Sequence, residues 1–191
     1  MLKNSLPVQF LLNPFTVGAV CPSSRELACE ITSCIGLEKV SSVAELGPGT
    51  GALTGMILEK MSDNGKFFAV ELNESVIEEF RKKFPKVTIY NESAVLLKKL
   101  ALRENLENID VIVSGLPWAS FPSQLQDDLL DAILETLPPG GIFTTFAYLQ
   151  GRLLPAGKRF RKKLDLHFSR VEKSRVIWKN IPPAFIYRCW K

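Results

Sequence analysis

At 191 residues, with 46% apolar and 23% charged side chains, the chain has the size and balance of one globular domain with a full core. It holds no run of eighteen apolar residues, which excludes a membrane-spanning helix, and its start lacks a secretory pattern, so a cytoplasmic protein is expected. The net charge of +4 conceals a division, because residues 150–191 hold 12 Lys and Arg against 2 Asp and Glu, while residues 1–149 hold 12 against 18.

Leu2 to Leu12 is mostly apolar and broken by Pro7, as suits an amphipathic arm lying on a membrane or over an active site. A loop of small residues, Asn13 to Ser24, then runs into a helix expected to begin at Ser23 or Ser24 and to stop at Gly36. Ser23 and Glu26 have capping-box spacing. Such a loop either wraps a bound cofactor or caps a sheet. Val43-Ala44-Glu45-Leu46 reads as a buried strand that meets glycines at alternate positions, Gly47, Gly49 and Gly51, before a helical pattern from Ala52 to Met61. Glycines in a strand–turn–helix unit let a ligand approach the backbone, and the helix start offers free N–H donors. Phe67 to Val70 reads as a second strand ending at Glu71, where a carboxylate accepts hydrogen bonds from ribose hydroxyls. Asn73 is expected to cap a helix through Phe84, closed by Pro85, and Val87 to Tyr90 is a third strand.

Ile109 to Val113 is the fourth strand, running into Ser114-Gly115-Leu116-Pro117-Trp118. A helix follows from Pro122 or Ser123, with Ser123 and Gln126 as a capping pair, and Ile142 to Tyr148 is the fifth strand. A loop from Gly151 to Gly157 leads to the run Lys158-Arg159-Phe160-Arg161-Lys162-Lys163, whose density points to a polyanionic partner. Val171–Trp178 and Ala184–Trp190 then read as a hairpin-like pair. Alternation up to residue 148 followed by a hairpin predicts an α/β fold: a doubly wound, mostly parallel seven-stranded sheet with an antiparallel C-terminal edge. Residues 1–191 are expected to form a single domain, with 1–22 an arm and 150–191 a basic C-terminal portion. Cys21, Cys29, Cys34 and Cys189 lack metal-ligand spacing, so reduced structural thiols and no metal are expected. His167, the one histidine, reads as structural.

The string from Glu45 to Gly51, with Glu45 closing the strand, resembles motif I of class I S-adenosylmethionine-dependent methyltransferases, whereas a dinucleotide site shows Gly-x-Gly-x-x-Gly. The resemblance implies a Rossmann-like fold and S-adenosylmethionine as cofactor. It implies cofactor contacts from Glu45, Gly47, Gly49, Gly51, Glu71, Leu72, Ser93, Ala94 and Ser114. Ser93 stands where many members carry an acid that bonds the adenine amino group. The loop from Ser114 to Trp118 resembles the Asn-Leu/Pro-Pro-Tyr/Phe motif of adenine amino-methyltransferases, with Ser114 or Gly115 in place of the asparagine. A tryptophan followed by Phe121 suits an alkylammonium instead, gripped by the Trp118 ring face. Tyr187 is then placed to accept a proton or a hydrogen bond from that amine. Both residues also fit core positions with satisfied polar tips.

Three stretches together, Asn13 to Ser24, Gly115-Leu116-Pro117-Trp118 with Phe121-Pro122, and Asn180 to Arg188, resemble the small bacterial phospholipid N-methyltransferases. That resemblance implies methylation of the amino head group of phosphatidylethanolamine or a related aminophospholipid. The enzyme would work peripherally on an anionic membrane surface, with Trp118 and Tyr187 as its catalytic residues and no obligate protein partner. Two other readings are an rRNA adenine N6-methyltransferase, with RNA as partner, and a non-catalytic S-adenosylmethionine-binding protein.

Overall fold

The five parallel strands expected from the apolar runs form, with modest changes at their ends, in a computed structural model that describes residues 23–191. The expected arm at 1–22 lies outside the described residues. The strands are β1 (Ser42–Leu46), β2 (Lys66–Val70), β3 (Thr88–Tyr90), β4 (Val111–Ser114), β5 (Ile142–Tyr148), β6 (Arg170–Lys173) and β7 (Ala184–Trp190). They make one sheet in the order β3-β2-β1-β4-β5-β7-β6, parallel through β5, with β7 inserted antiparallel between β5 and β6. This is the doubly wound sheet with an antiparallel edge that the sequence predicts.

The helices are α1 (Arg25–Ile31), α2 (Thr54–Lys60), α3 (Glu74–Lys83), α4 (Leu97–Arg103), α5 (Ser123–Thr136) and α6 (Pro155–His167). Period-two alternation in the strands sends side chains to two covered faces. Val43, Val111, Val113 and Ile186 pack with Leu27, Ile31 and Ile57 of α1 and α2, and Ala69 packs with Ile77 and Phe80 of α3. Ala44, Leu46, Phe68 and Ile112 pack on the opposite face with Leu97, Leu129 and Phe160 of α4, α5 and α6.

Local chemistry moved two expected ends and replaced one expected cap. Ser24 alone caps α1, its Oγ accepting from the Leu27 amide at 3.1 Å, and the helix ends at Ile31. There Thr32 and Ser33 donate their hydroxyls back to the carbonyls of Ala28 and Cys29, and Cys34 turns to φ 60°. The Ser123–Gln126 capping pair does not form. Pro122 occupies the cap position, and Gln126 turns inward to donate to the carbonyls of Trp118 (2.8 Å) and Ala156 (3.2 Å). β6 stops at Lys173 rather than continuing to Trp178, because the Ser174 hydroxyl takes the Ile186 amide at 2.9 Å in place of a ladder carbonyl.

β1 and β4 are neighbours whose following segments depart to opposite faces of the sheet. That is the switch point at which open α/β sheets bind ligands beyond the strand ends.

Candidate active site

The glycine turn after β1 holds Gly47, Gly49 and Gly51 at φ 68°, 56° and 85°. Their surroundings differ. A Cβ on Gly47 would press on Leu116 at 2.7 Å and one on Gly51 on the Phe84 ring at 2.2 Å, but one on Gly49 would meet nothing within 4 Å. Of the three, Gly49 is the position where a ligand can reach bare backbone. Across the crevice, the Glu71 Oε1 accepts from the amides of Leu72 (2.8 Å) and Asn73 (3.0 Å), and its Oε2 accepts from the Gly49 amide at 3.3 Å. One carboxylate therefore joins the end of β2 to the glycine turn. Asn91, absent from the sequence expectations, secures this corner by donating to the carbonyls of Glu71 and Leu72. Ser93 caps the 3-10 turn Ala94–Leu96 by accepting from the Val95 amide, and Ala94 is packed into the core beneath it.

Glu45 lies on the opposite face of β1 from Ala44 and Leu46 and is wholly buried. Its Oε2 accepts from the Thr54 hydroxyl at 2.6 Å, and its Oε1 has no hydrogen-bond partner among the described residues. Burial pushes its pKa up to about 8, so the carboxyl is protonated at neutral pH. Below its ordinary value near 4.5 the folded and unfolded chains both hold this proton. From there to about 8 only the folded chain does, so stability falls as pH rises through that window and levels off above it. Glu45→Gln is expected to remove this slope, on the order of a few kcal/mol across the window, as read by urea unfolding at a series of pH values.

These features fit S-adenosylmethionine. A carboxylate held by backbone amides stands where a ribose diol would sit, Gly49 leaves room for close approach, and the buried Glu45 carboxyl leaves one oxygen unpartnered beneath the turn. When bound, that group supplies an electrophilic methyl on a sulfonium.

The loop after β4 is built differently from the sequence expectation. Ser114 is fully buried, and its Oγ accepts from the Leu116 amide (3.2 Å) and from the Trp118 Nε1 (3.1 Å), while its carbonyl accepts from Thr145. Its hydroxyl supports the loop; it is not left open as a cofactor ligand. Trp118 is 2% exposed and stacks on Phe160 with centroids 4.4 Å apart and planes 14° apart. Phe121 and Phe143 meet it edge-on. The ring face expected to grip an ammonium is thus occupied on one side by Phe160. Tyr187 packs edge-on against Phe160 and Phe185, with the Arg161 guanidinium 5.3 Å from its ring centroid. Burial holds its hydroxyl proton above the ordinary tyrosine pKa, so Tyr187 stays protonated at neutral pH and does not take up a proton as a phenolate base.

Trp118 and Tyr187 nevertheless line a common cleft of about 770 Å³, including its open mouth. Leu116 forms part of its wall and also touches Gly47, so the glycine crevice and the cleft share a side chain. Phe146, Tyr148 and Phe160 complete an aromatic wall, and among the described residues Arg152 is the one charged residue on the lining. The sequence carries a signal for each of these. Phe146 and Tyr148 are two apart at the end of β5, and Phe160 is the lone apolar residue in a basic run. Backbones meet closely here: a Cβ on Gly157 would lie 2.1 Å from the Gly151 carbonyl oxygen, and one on Gly115 would lie 2.5 Å from that of Gly47. Gly115→Ala is therefore expected to force the two loops apart, costing about 1–3 kcal/mol and weakening cofactor binding, as thermal melts with and without S-adenosylmethionine would read.

Residues 43–141 match the family described as "Methyltransferase domain". The chain belongs to that family. This methyltransferase uses S-adenosylmethionine as its methyl donor. It is 27% identical to the ornithine lipid N-methyltransferase of Singulisphaera acidiphila over 184 residues, covering 95% of this chain and 92% of that protein. It is also 30% identical over 110 residues to ribosomal RNA small subunit methyltransferase A of Hydrogenobaculum sp., covering 58% of this chain and 41% of that one. Among solved structures, an O-methyltransferase from Bacillus cereus in complex with SAH shares the fold, with a TM-score of 0.70 at 15% identity over 88% of this chain and 82% of that one. Among the described residues, no helix of the methyltransferase is long and apolar enough to cross a membrane, and no group of His, Cys, Asp and Glu is arranged to hold a metal.

Proposed function

We propose that this methyltransferase acts at a membrane surface on the primary amine of an aminolipid head group, phosphatidylethanolamine or an ornithine lipid. The aromatic, acid-free cleft beside the glycine crevice carries this reading. Transfer to nitrogen needs an exposed lone pair held in line with the methyl group, and an apolar cleft without a carboxylate favours the deprotonated amine. In this reading Trp118 is a rigid wall, and the Tyr187 hydroxyl accepts a hydrogen bond from the amine. Glu71, the Leu72 amide and Gly49 hold the ribose side of the cofactor, with Glu45, Gly47 and Gly51 shaping the turn and Ser93 and Ala94 flanking the adenine.

The likeness to the ornithine lipid N-methyltransferase supports the reading because it runs almost the full length of both proteins. The surface supports it too. Lys158, Arg159 and Lys162 are exposed on α6 while Phe160 and Leu164 face inward, and each cation near an anionic bilayer contributes about 1 kcal/mol. Leu153, beside the cleft, is 77% exposed. Both the crevice and the cleft are built on one sheet, in keeping with a single domain.

Incubation with radiolabelled S-adenosylmethionine, vesicles with and without phosphatidylethanolamine or ornithine lipid, and a matched RNA sample tests the proposal. Label is expected in the aminolipid. Label in RNA would favour the rRNA reading, and cofactor binding with no labelled product would favour a binding protein.

A further inference from the structure

Arg152 on the cleft lining and Lys173 of β6, whose ladder partner Tyr187 also lines the cleft, share one aromatic platform. The Arg152 guanidinium carbon lies 5.9 Å from the centroid of Phe185, and the Lys173 Nζ lies 5.0 Å from the same centroid. Phe185 itself is fully buried in β7 and forms a fixed base for both. The backbone holds the two arms in place. The Leu149 amide donates to the Pro183 carbonyl at 2.8 Å, tying the segment that bears Arg152 to the start of β7, and Lys173 sits opposite Tyr187 in the β6–β7 ladder.

Neither cation has a carboxylate partner among the described residues. The nearby acids are committed elsewhere, Glu172 to Arg170 and Asp165 to the Nε and Nη2 of Arg161. Among the described residues the lining holds no acid, so the positive charge of Arg152 there is uncompensated. Aromatic side chains inside, Arg152 on the lining and Lys173 beside it on the Phe185 ring match a ligand with an anion a few bonds away from an amine.

We propose that Arg152 and Lys173 form a clamp for the acidic group of a zwitterionic aminolipid, either a phosphodiester or a carboxylate, and so set the amine at the inner wall of the cleft. This rests on the lipid reading above and deepens it. A planar guanidinium can bind either oxyanion through two parallel hydrogen bonds, and a lysine adds a mobile point charge. The anion is unchanged by methylation of the nitrogen, so the clamp holds the unmethylated and partly methylated head groups alike.

The test measures steady-state kinetics of Arg152→Ala, Lys173→Ala, the double variant and Arg152→Lys. Substrate is presented in neutral phosphatidylcholine vesicles doped with phosphatidylethanolamine in one arm and ornithine lipid in the other. The double variant is expected to raise KM about ten-fold or more with kcat nearly unchanged, and Arg152→Lys to recover most of the loss. A rise in the first arm alone identifies a phosphodiester as the ligand, and in the second alone a carboxylate. S-adenosylmethionine affinity and sedimentation with vesicles are expected to be unaltered. An active wild type whose variants keep their KM, or lose vesicle binding in proportion to activity, would overturn the clamp and leave the lipid reading standing. A wild type that labels neither lipid would overturn the lipid reading and the clamp together.

Discussion

Trp118→Ala is expected to destabilise the protein by about 3–5 kcal/mol and to lower its melting temperature by on the order of 10 °C. The ring is 2% exposed, stacked on Phe160 and met edge-on by Phe121 and Phe143. Removing it opens a cavity among three aromatic neighbours and takes from the Ser114 hydroxyl one of its two donors, the Nε1 that it now meets at 3.1 Å. Trp118→Phe keeps the stack and loses one hydrogen bond, so its cost is expected near 1 kcal/mol. Urea unfolding of both variants distinguishes a wall from a cation grip. A Trp118→Ala protein of unchanged stability but lost turnover would return the ring to direct contact with the amine.

Glu71→Ala is expected to weaken S-adenosylmethionine binding by about a hundred-fold or more, since two hydrogen bonds to a charged acceptor contribute about 1.5–3 kcal/mol each. The carboxylate is already aimed, because its oxygens accept from the amides of Leu72, Asn73 and Gly49. Helix α3 keeps its cap in the variant, where Asn73 Oδ1 accepts from the Ser75 amide, while the three amides that now donate to Glu71 lose their acceptor, so the fold is checked alongside the affinity. Calorimetric titration reads the affinity, and far-ultraviolet dichroism checks the fold. An unchanged affinity would remove Glu71 from the site.

These two residues mark the boundary of what local sequence conveys. The placement of Glu71 against the glycine turn was legible because it follows from order along the chain: a buried strand, an acid at its end, and a glycine turn at the end of the preceding strand. Strand alternation, the glycine spacing after Glu45 and the change to a hairpin beyond Tyr148 are likewise short-range patterns, and they determined the sheet. The expected role of Trp118 as an open ring went astray because its exposure depends on Phe160, which arrives from α6 far along the chain. Ser114 shows the same thing at closer range, since a hydroxyl beside a glycine loop serves ligand or loop according to where the Trp118 indole points. The meeting of Arg152 and Lys173 on Phe185, and of Gly157 with Gly151, was decided only by tertiary packing. Periodicity tells which residues of a helix or strand turn inward, but the partner each one meets is set by how separate elements dock, and the cleft is made of those meetings.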